Sequence, residues 1–305
     1  MNNVIIGMDN SKSYRIYLAD TTEMVEQARI IHQTTPLSTA LLGRVLTATG
    51  LMGIMLKNDG DKVTVQFKGD GPAKEVLATG NGQGHVKGYV SNANLDLPLK
   101  ENGKLNVGEA LGIGELTVIK DIGLKEPYLG RIALVSGEIA EDITTYFYIS
   151  EQQNSSVNLG VMVDRDLTVS SAGGMIIQML PDYKEETVLE LEKMLNSMEP
   201  ISKIIAEERL KRKVPEVYLK SLMDRIFSDM PNEYKPTVLE ERNIEWLCDC
   251  SKERYFRGLM TLSHEDLDEM IEEDEGAEII CQFCKKDYHF SKEELEAIRK
   301  EVKYD

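Results

Sequence analysis

The sequence predicts an α+β protein in three parts. A mixed or antiparallel sheet domain with helices spans residues 1–182, a charged helical linker spans 183–232, and a small cysteine-bearing module spans 233–305. Three observations carry this reading. Short, glycine-punctuated strand patterns fill the first 180 or so residues, which argues against a doubly wound parallel sheet. Helical apolar spacing takes over from about Lys184. All four cysteines lie in the last fifth of the 305-residue chain.

Residues 4–8 and 14–19 read as strands, with Asp9-Asn10-Ser11 as the turn between them. Helical spacing follows over 24–31. Thr35 then stands as an N-cap before Pro36, at the first position of a longer helix running to about residue 56. Leu37, Ala40, Leu41, Val45, Ala48, Met52 and Met55 give that helix one buried face. Gly43, Gly50 and Gly53 cost helix stability and so predict close packing against a neighbour. From Lys62 the period becomes two, with Val63, Val65 and Phe67 alternating with polar residues. Further strands are expected at 76–79, 85–90, 116–120, 131–135, 157–163 and 175–180, while 143–149 fits a helix or a strand. Gly80-Asn81-Gly82-Gln83-Gly84 has the glycine content of a phosphate loop. A strand pattern follows it, however, and not a helix whose N–H groups would face an anion, so it reads as a hairpin turn.

In the linker, Val188, Leu191, Leu195 and Met198, then Ile201, Ile204 and Ile205, then Leu219, Leu222, Met223, Ile226 and Met230 mark three amphipathic helices divided by Pro200 and Pro215. Residues 207–213 are the most polar stretch. The apolar stripes must cover something: either they cap the first domain permanently or they cover it conditionally and can detach. Pro231-Asn232-Glu233-Tyr234-Lys235-Pro236 reads as the connection into the last module.

Charge narrows the partners. Thirty-five basic against 52 acidic residues leave a net −17, which repels phosphate backbones and anionic lipid. No apolar run approaches the roughly 18–20 residues of a membrane span, and the N-terminal nine residues lack the basic n-region of a signal peptide. The expectation is a cytoplasmic protein with reduced thiols, binding neither nucleic acid nor membrane. Residues 231–305 hold 21 acidic and 11 basic residues, a net −10, whereas zinc modules that grip nucleic acid present basic faces. Nine of those acids fall within 265–278, read as a solvated helix face with Leu267, Met270 and Ile271 turned inward. No G-x-S-x-G, H-E-x-x-H or Walker sequence is present, and no nucleophile–base arrangement supports an enzyme.

Cys248, Cys250, Cys281 and Cys284 form a C-x-C and a C-x2-C pair thirty residues apart. In a reducing compartment such pairs bind metal or do redox work more often than they form static disulfides. Four thiolates suit tetrahedral Zn²⁺ and leave no open position for a catalytic water, so the last part reads as a small C-terminal zinc-binding module. The gap exceeds that of ordinary zinc ribbons, which calls for a helical insertion. His264 and His289 are the alternative ligands in this region, and the four cysteines complete the set without them. His32 and His85 stand alone and read as surface or hydrogen-bonded side chains. If oxidised, four cysteines allow three connectivities, of which pairing within each motif is the simplest. Spacing does not decide between a scaffold and a switch.

Cys248-Asp249-Cys250-Ser251-Lys252-Glu253-Arg254, together with Cys281-Gln282-Phe283-Cys284 and the following Tyr288-His289-Phe290, resembles the 33-kDa heat-shock protein family of bacterial redox-regulated chaperones, also called 33-kDa chaperonins. The stretches 35–53 and 171–182 support the likeness, which covers the whole chain. It implies that Cys248, Cys250, Cys281 and Cys284 hold one zinc ion per chain in a reduced, inactive monomer. It further implies that oxidation joins Cys248 to Cys250 and Cys281 to Cys284, releases zinc, unfolds the module and loosens the linker. The oxidised form, a homodimer, would then hold unfolding client proteins without ATP under oxidative stress. The acidity of 265–278 is stronger than the family leads one to expect. Two other classes fit parts of the sequence: a constitutive zinc-stabilised interaction module, and a thiol–disulfide oxidoreductase using Cys281-Gln282-Phe283-Cys284, which lacks its βαβ context.

Overall fold

Strands β1 (Val4–Asp9) and β2 (Tyr14–Asp20) pair antiparallel, and the Asp9 carboxylate ties the turn between them by accepting hydrogen bonds from the backbone N–H groups of Ser11, Ser13 and Tyr14. The computed structural model describes residues 2–211, 215–272 and 275–301. It divides into two compact units, Met1–Leu247 and Cys248–Asp305.

In the first unit, helices α1 (Thr22–His32) and α2 (Pro36–Ile54) follow the opening hairpin. Strands β3 (Lys62–Gly69), β4 (Glu75–Asn81) and β5 (His85–Val90) form a meander; a short helix α3 (Val107–Leu111) precedes β6 (Gly114–Asp121) and β7 (Tyr128–Ala133). Helix α4 (Ala140–Ser150) leads into the long hairpin β8 (Ser155–Val163) and β9 (Val169–Met179). Helices α5 (Glu185–Ser197), α6 (Ile201–Lys211) and α7 (Pro215–Ile226) come next, then strands β10 (Pro236–Arg242) and β11 (Glu245–Trp246). Two sheets result, ordered β10-β1-β2-β9-β8 and β11-β5-β4-β3-β6-β7, antiparallel except for the β11–β5 pair. The α+β expectation holds.

The central strands β1, β2 and β9 of the five-stranded sheet are buried on both faces, which is why they are largely apolar. Val4, Ile6, Tyr17, Ala19 and Ile176 face a core built around α2. The alternate residues Ile5, Tyr14, Ile16, Leu18, Met175 and Ile177 face the three helices α5–α7, against Leu191, Ile205, Leu222, Met223 and Phe227. The linker stripes therefore cover the outer face of this sheet. Of the polar stretch 207–213, Arg212 and Lys213 lie outside the described residues.

Helix α2 packs against strands of both sheets. The single buried face expected for it is too narrow, since every residue from Leu37 to Ile54 except Arg44 is buried. Against the expectation that no apolar run approaches a membrane span, it is long and apolar enough by length and composition to cross one, and here that composition serves a core helix enclosed by protein. The close packing expected at its glycines is present: a Cβ on Gly53 would sit 2.8 Å from the Asn81 carbonyl oxygen. Thr35 holds the N-cap position, but its hydroxyl reaches 2.7 Å to the Leu95 carbonyl and leaves the helix uncapped by a side chain.

The ambiguous segment 143–149 is helical. Buried Asp142 in its first turn accepts from the backbone N–H groups of Val135, Ser136 and Ile139, fixing the entry to α4. The Gly80–Gly84 loop is a hairpin turn, with Gly84 at φ +87° and no room for a Cβ against the Asn243 carbonyl. Residues 236–246, expected inside the cysteine module, are instead strands of the first unit: β10 pairs with β1 and β11 with β5. Asn3 fastens this segment, accepting from the Ile244 N–H at 2.7 Å and donating to its carbonyl at 2.8 Å.

The second unit holds α8 (Lys252–Leu259), α9 (His264–Glu272), the hairpin β12 (Gly276–Ile280) and β13 (Asp287–Ser291), and α10 (Lys292–Glu301). Ser251, Ser263 and Ser291 start its helices, their hydroxyls accepting from the N–H groups of Arg254, Asp266 and Glu294. Leu267 and Ile271 of the acidic helix point into a small core with Tyr288, Phe290, Leu295 and Ile298, and Met270 packs at its margin. Glu273 and Asp274 of the acidic run lie outside the described residues.

Candidate metal centre

The four cysteines reach one place from two short loops. Cys248 and Cys250 precede Ser251, the cap of α8, and Cys281 and Cys284 occupy the turn of the β12–β13 hairpin. That turn is closed by the Cys281 N–H to the Lys286 carbonyl at 2.9 Å and the Lys285 N–H to the Cys281 carbonyl at 2.8 Å, with Lys285 at φ +61°. All four sulfurs lie within 4.8 Å of one another, Cys281 buried and the others half-buried. Cys248 Sγ is 3.7 Å from Cys281 Sγ, and Cys250 Sγ is 3.3 Å from Cys284 Sγ. A tetrahedral ion with metal–sulfur bonds of about 2.3 Å holds its sulfurs about 3.8 Å apart, whereas a disulfide needs about 2.05 Å. The set therefore has the donors and the spacing to hold one ion.

Its electrostatics ask for a cation. Burial pushes the Cys248 and Cys284 thiols above their ordinary range. Burial also opposes ionisation of Cys281, but the Tyr255 hydroxyl and the backbone N–H groups of Cys284 and Phe283 outweigh it and bring that thiol down to about 6. Backbone N–H groups also face two of the other sulfurs: that of Cys250 toward Cys248, and that of Lys286 toward Cys284. Four thiolates packed this closely need a shared positive charge to coexist.

Neither His264, opening α9, nor His289, on β13, belongs to the group. In the first unit, His32 is buried edge-on to Trp246 at 5.9 Å, and His85 lies 3.6 Å from Glu245. Two tyrosines at the centre were not singled out as site residues by the sequence reading. Tyr255 from α8 and Tyr288 from β13 pack with their rings tilted at 47° and centroids 4.9 Å apart, and the Tyr288 hydroxyl lies 3.1 Å from Cys250 Sγ and 3.0 Å from the Cys250 carbonyl. Their signal was position: each follows a cysteine pair by four or five residues.

The model of the Hsp33 protein family matches residues 2–291. The chain belongs to the Hsp33 family. Curated relatives named 33 kDa chaperonin include one from Alkaliphilus oremlandii, 45% identical over 302 residues covering 99% of this chain and 97% of the relative. Another, from Clostridioides difficile, is 45% identical over 300 residues, covering 98% and 99%. The crystal structure of the 33 kDa chaperonin from Thermotoga maritima matches with a TM-score of 0.86 at 34% identity, covering 98% of each chain. Hsp33 proteins are chaperones of the holdase kind, not enzymes, and membership supports a chaperone role here.

Proposed function

We propose that this chain is a redox-regulated, ATP-independent holdase whose switch is a zinc ion held by Cys248, Cys250, Cys281 and Cys284. The carrying observation is the sulfur cluster itself, set in a 58-residue unit whose small core includes Cys281. A core of that size is marginal alone, and structural zinc supplies roughly 10–16 kcal/mol of apparent folding energy to such modules. When bound, the ion supplies charge neutralisation that keeps all four sulfurs as thiolates, the form that oxidants attack.

In the reduced state the chain is a monomer with one zinc ion and its apolar surfaces covered. Oxidation by peroxide or hypochlorite joins Cys248 to Cys250 and Cys281 to Cys284, zinc leaves, and the second unit unfolds. The segment 236–246 runs directly into Cys248, and helices α5–α7 cover an apolar sheet face. Loosening of these elements exposes surface that holds unfolding client proteins, and the oxidised chain dimerises. The expected setting is the cytoplasm under oxidative stress.

The test measures bound zinc and free thiols before and after peroxide at raised temperature, alongside light scattering of a heated client protein. One zinc and four thiols should fall together to none, and only the oxidised protein should suppress aggregation. Zinc retained under oxidant with equal protection in both states would favour a constitutive zinc-stabilised interaction module.

A further inference from the structure

We propose that the Tyr288 hydroxyl is a positioning group that restrains the Cys250 sulfur and sets how readily it is oxidised. Its consequence for switching rests on the redox reading above; the contact itself does not.

The hydroxyl reaches from β13 to the other cysteine motif, within hydrogen-bond distance of both Cys250 Sγ and the Cys250 carbonyl. Its single proton is shared between two acceptors on one residue, so it restrains that residue and withdraws electron density from its sulfur. The ring is held independently of the hydroxyl. It is buried in the unit's core, packs tilted against Tyr255, and lies under the Lys286 ammonium, 5.2 Å from the centroid. Cys248 and Cys284 are faced by backbone N–H donors, which no substitution removes, and Cys281 by backbone N–H groups together with the Tyr255 hydroxyl. At Cys250 a side chain donates, so its reactivity can be tuned by sequence. Cys250 is also half-buried where Cys281 is fully buried, which leaves it open to a small oxidant.

The chemistry affected is the first step. A thiolate lone pair attacks one oxygen of hydrogen peroxide, the O–O bond breaks, and sulfenic acid and hydroxide form. A second thiolate of the cluster attacks the sulfenic sulfur and expels the other hydroxide. Two thiolates lose two electrons in all, one peroxide is reduced, and the two hydroxides pass into the solvent, where buffer acid protonates them. A donor on the attacking sulfur stabilises its electron pair and slows that attack.

The experiment compares full-length, zinc-loaded wild type with Tyr288→Phe, which keeps the ring. Each cysteine is followed by peptide mass spectrometry after limited peroxide with a sulfenic-acid trap, and separately after iodoacetamide, which reads nucleophilicity without an oxidant. Zinc release is followed with a chromophoric chelator. Tyr288→Phe should accelerate modification at Cys250 by about three- to tenfold, the scale of one ordinary hydrogen bond, with zinc release quickened in step. Tyr255→Phe, which removes the hydroxyl beside Cys281, should leave the Cys250 rate unchanged. 3-Fluorotyrosine at 288, a stronger donor, should slow it, and serves if Tyr288→Phe does not fold. An unchanged Cys250 rate, or equal acceleration of all four cysteines, would overturn the proposal. A wild type that keeps its zinc and thiols under peroxide sinks the redox reading instead, while the iodoacetamide arm still decides the role of Tyr288.

Discussion

Cys248 Sγ and Cys281 Sγ lie 3.7 Å apart although 33 positions separate them in the chain. Within the second unit this approach brings the loop before α8 against the turn of the β12–β13 hairpin. Replacing either sulfur should therefore damage both halves. Cys281→Ser, at the most buried of the four, should weaken zinc binding by more than about 100-fold, beyond the loss usual for outer-shell changes. Competition with a chromophoric chelator measures it, and near-native affinity would contradict a four-thiolate site.

Removing the ion should unfold the second unit while sparing the first. After treatment with a strong chelator, hydrogen exchange should lose protection across β12, β13 and α10, while amides of α2 and β3 stay protected. The first unit's core consists of its own residues, and no cysteine belongs to it. Retained protection across the second unit would mean that its small apolar core suffices.

Asp20, at the end of β2 and almost fully buried, accepts from Arg209 of α6 and Tyr218 of α7, each at 2.7 Å, and from Thr22. It is a polar anchor at the margin of an otherwise apolar helix cover. Asp20→Asn leaves the Arg209 charge with only the exposed Glu23 carboxylate, 3.9 Å away, and should cost about 2–4 kcal/mol, somewhat below a fully buried pair because Arg209 is partly exposed. Urea unfolding measures the loss. Exchange in α6 and α7 should quicken before that in α2, and a uniform change would argue against a local anchor.

Glu138 gives a pH signature. Burial opposes its ionisation, but the Lys100 ammonium and the Arg44 guanidinium at 2.8 Å outweigh that, helped by the Gly108 N–H, and hold its carboxyl below the usual range. A carboxyl depressed in the folded state adds stability above its unfolded pKa and loses it as pH falls through the folded value. The stability gap between wild type and Glu138→Gln should be about 1–2 kcal/mol at neutral pH and close as the medium is acidified below about pH 4.5. A gap independent of pH would mean that the ion pairs contribute nothing.

The sequence was most legible where the signal is local. The period-two runs of β3 and β5, Pro36 opening α2, and the apolar stripes of α5–α7 each follow from residues a few positions apart. It misled where partners are distant. Residues 236–246 follow a proline-flanked segment and read as part of the cysteine module, yet β10 completes a sheet begun at Val4. Thr35 stands where a cap belongs, but the Leu95 carbonyl claims its hydroxyl. Segment 143–149 carried both periods, and buried Asp142 settled it as helix.

By itself the sequence determined the candidate donor set: four sulfurs in two close pairs, whose capacity to hold an ion follows from residue type and spacing. Only the tertiary structure decided that Tyr288 and Tyr255 flank those sulfurs, that Asp20 anchors two helices almost 190 or more positions away, and that 236–246 belongs to the first unit. The reason is physical: a short chain segment encodes its own periodicity and caps. Which remote backbone or side chain meets its unpaired groups depends on how the whole core packs.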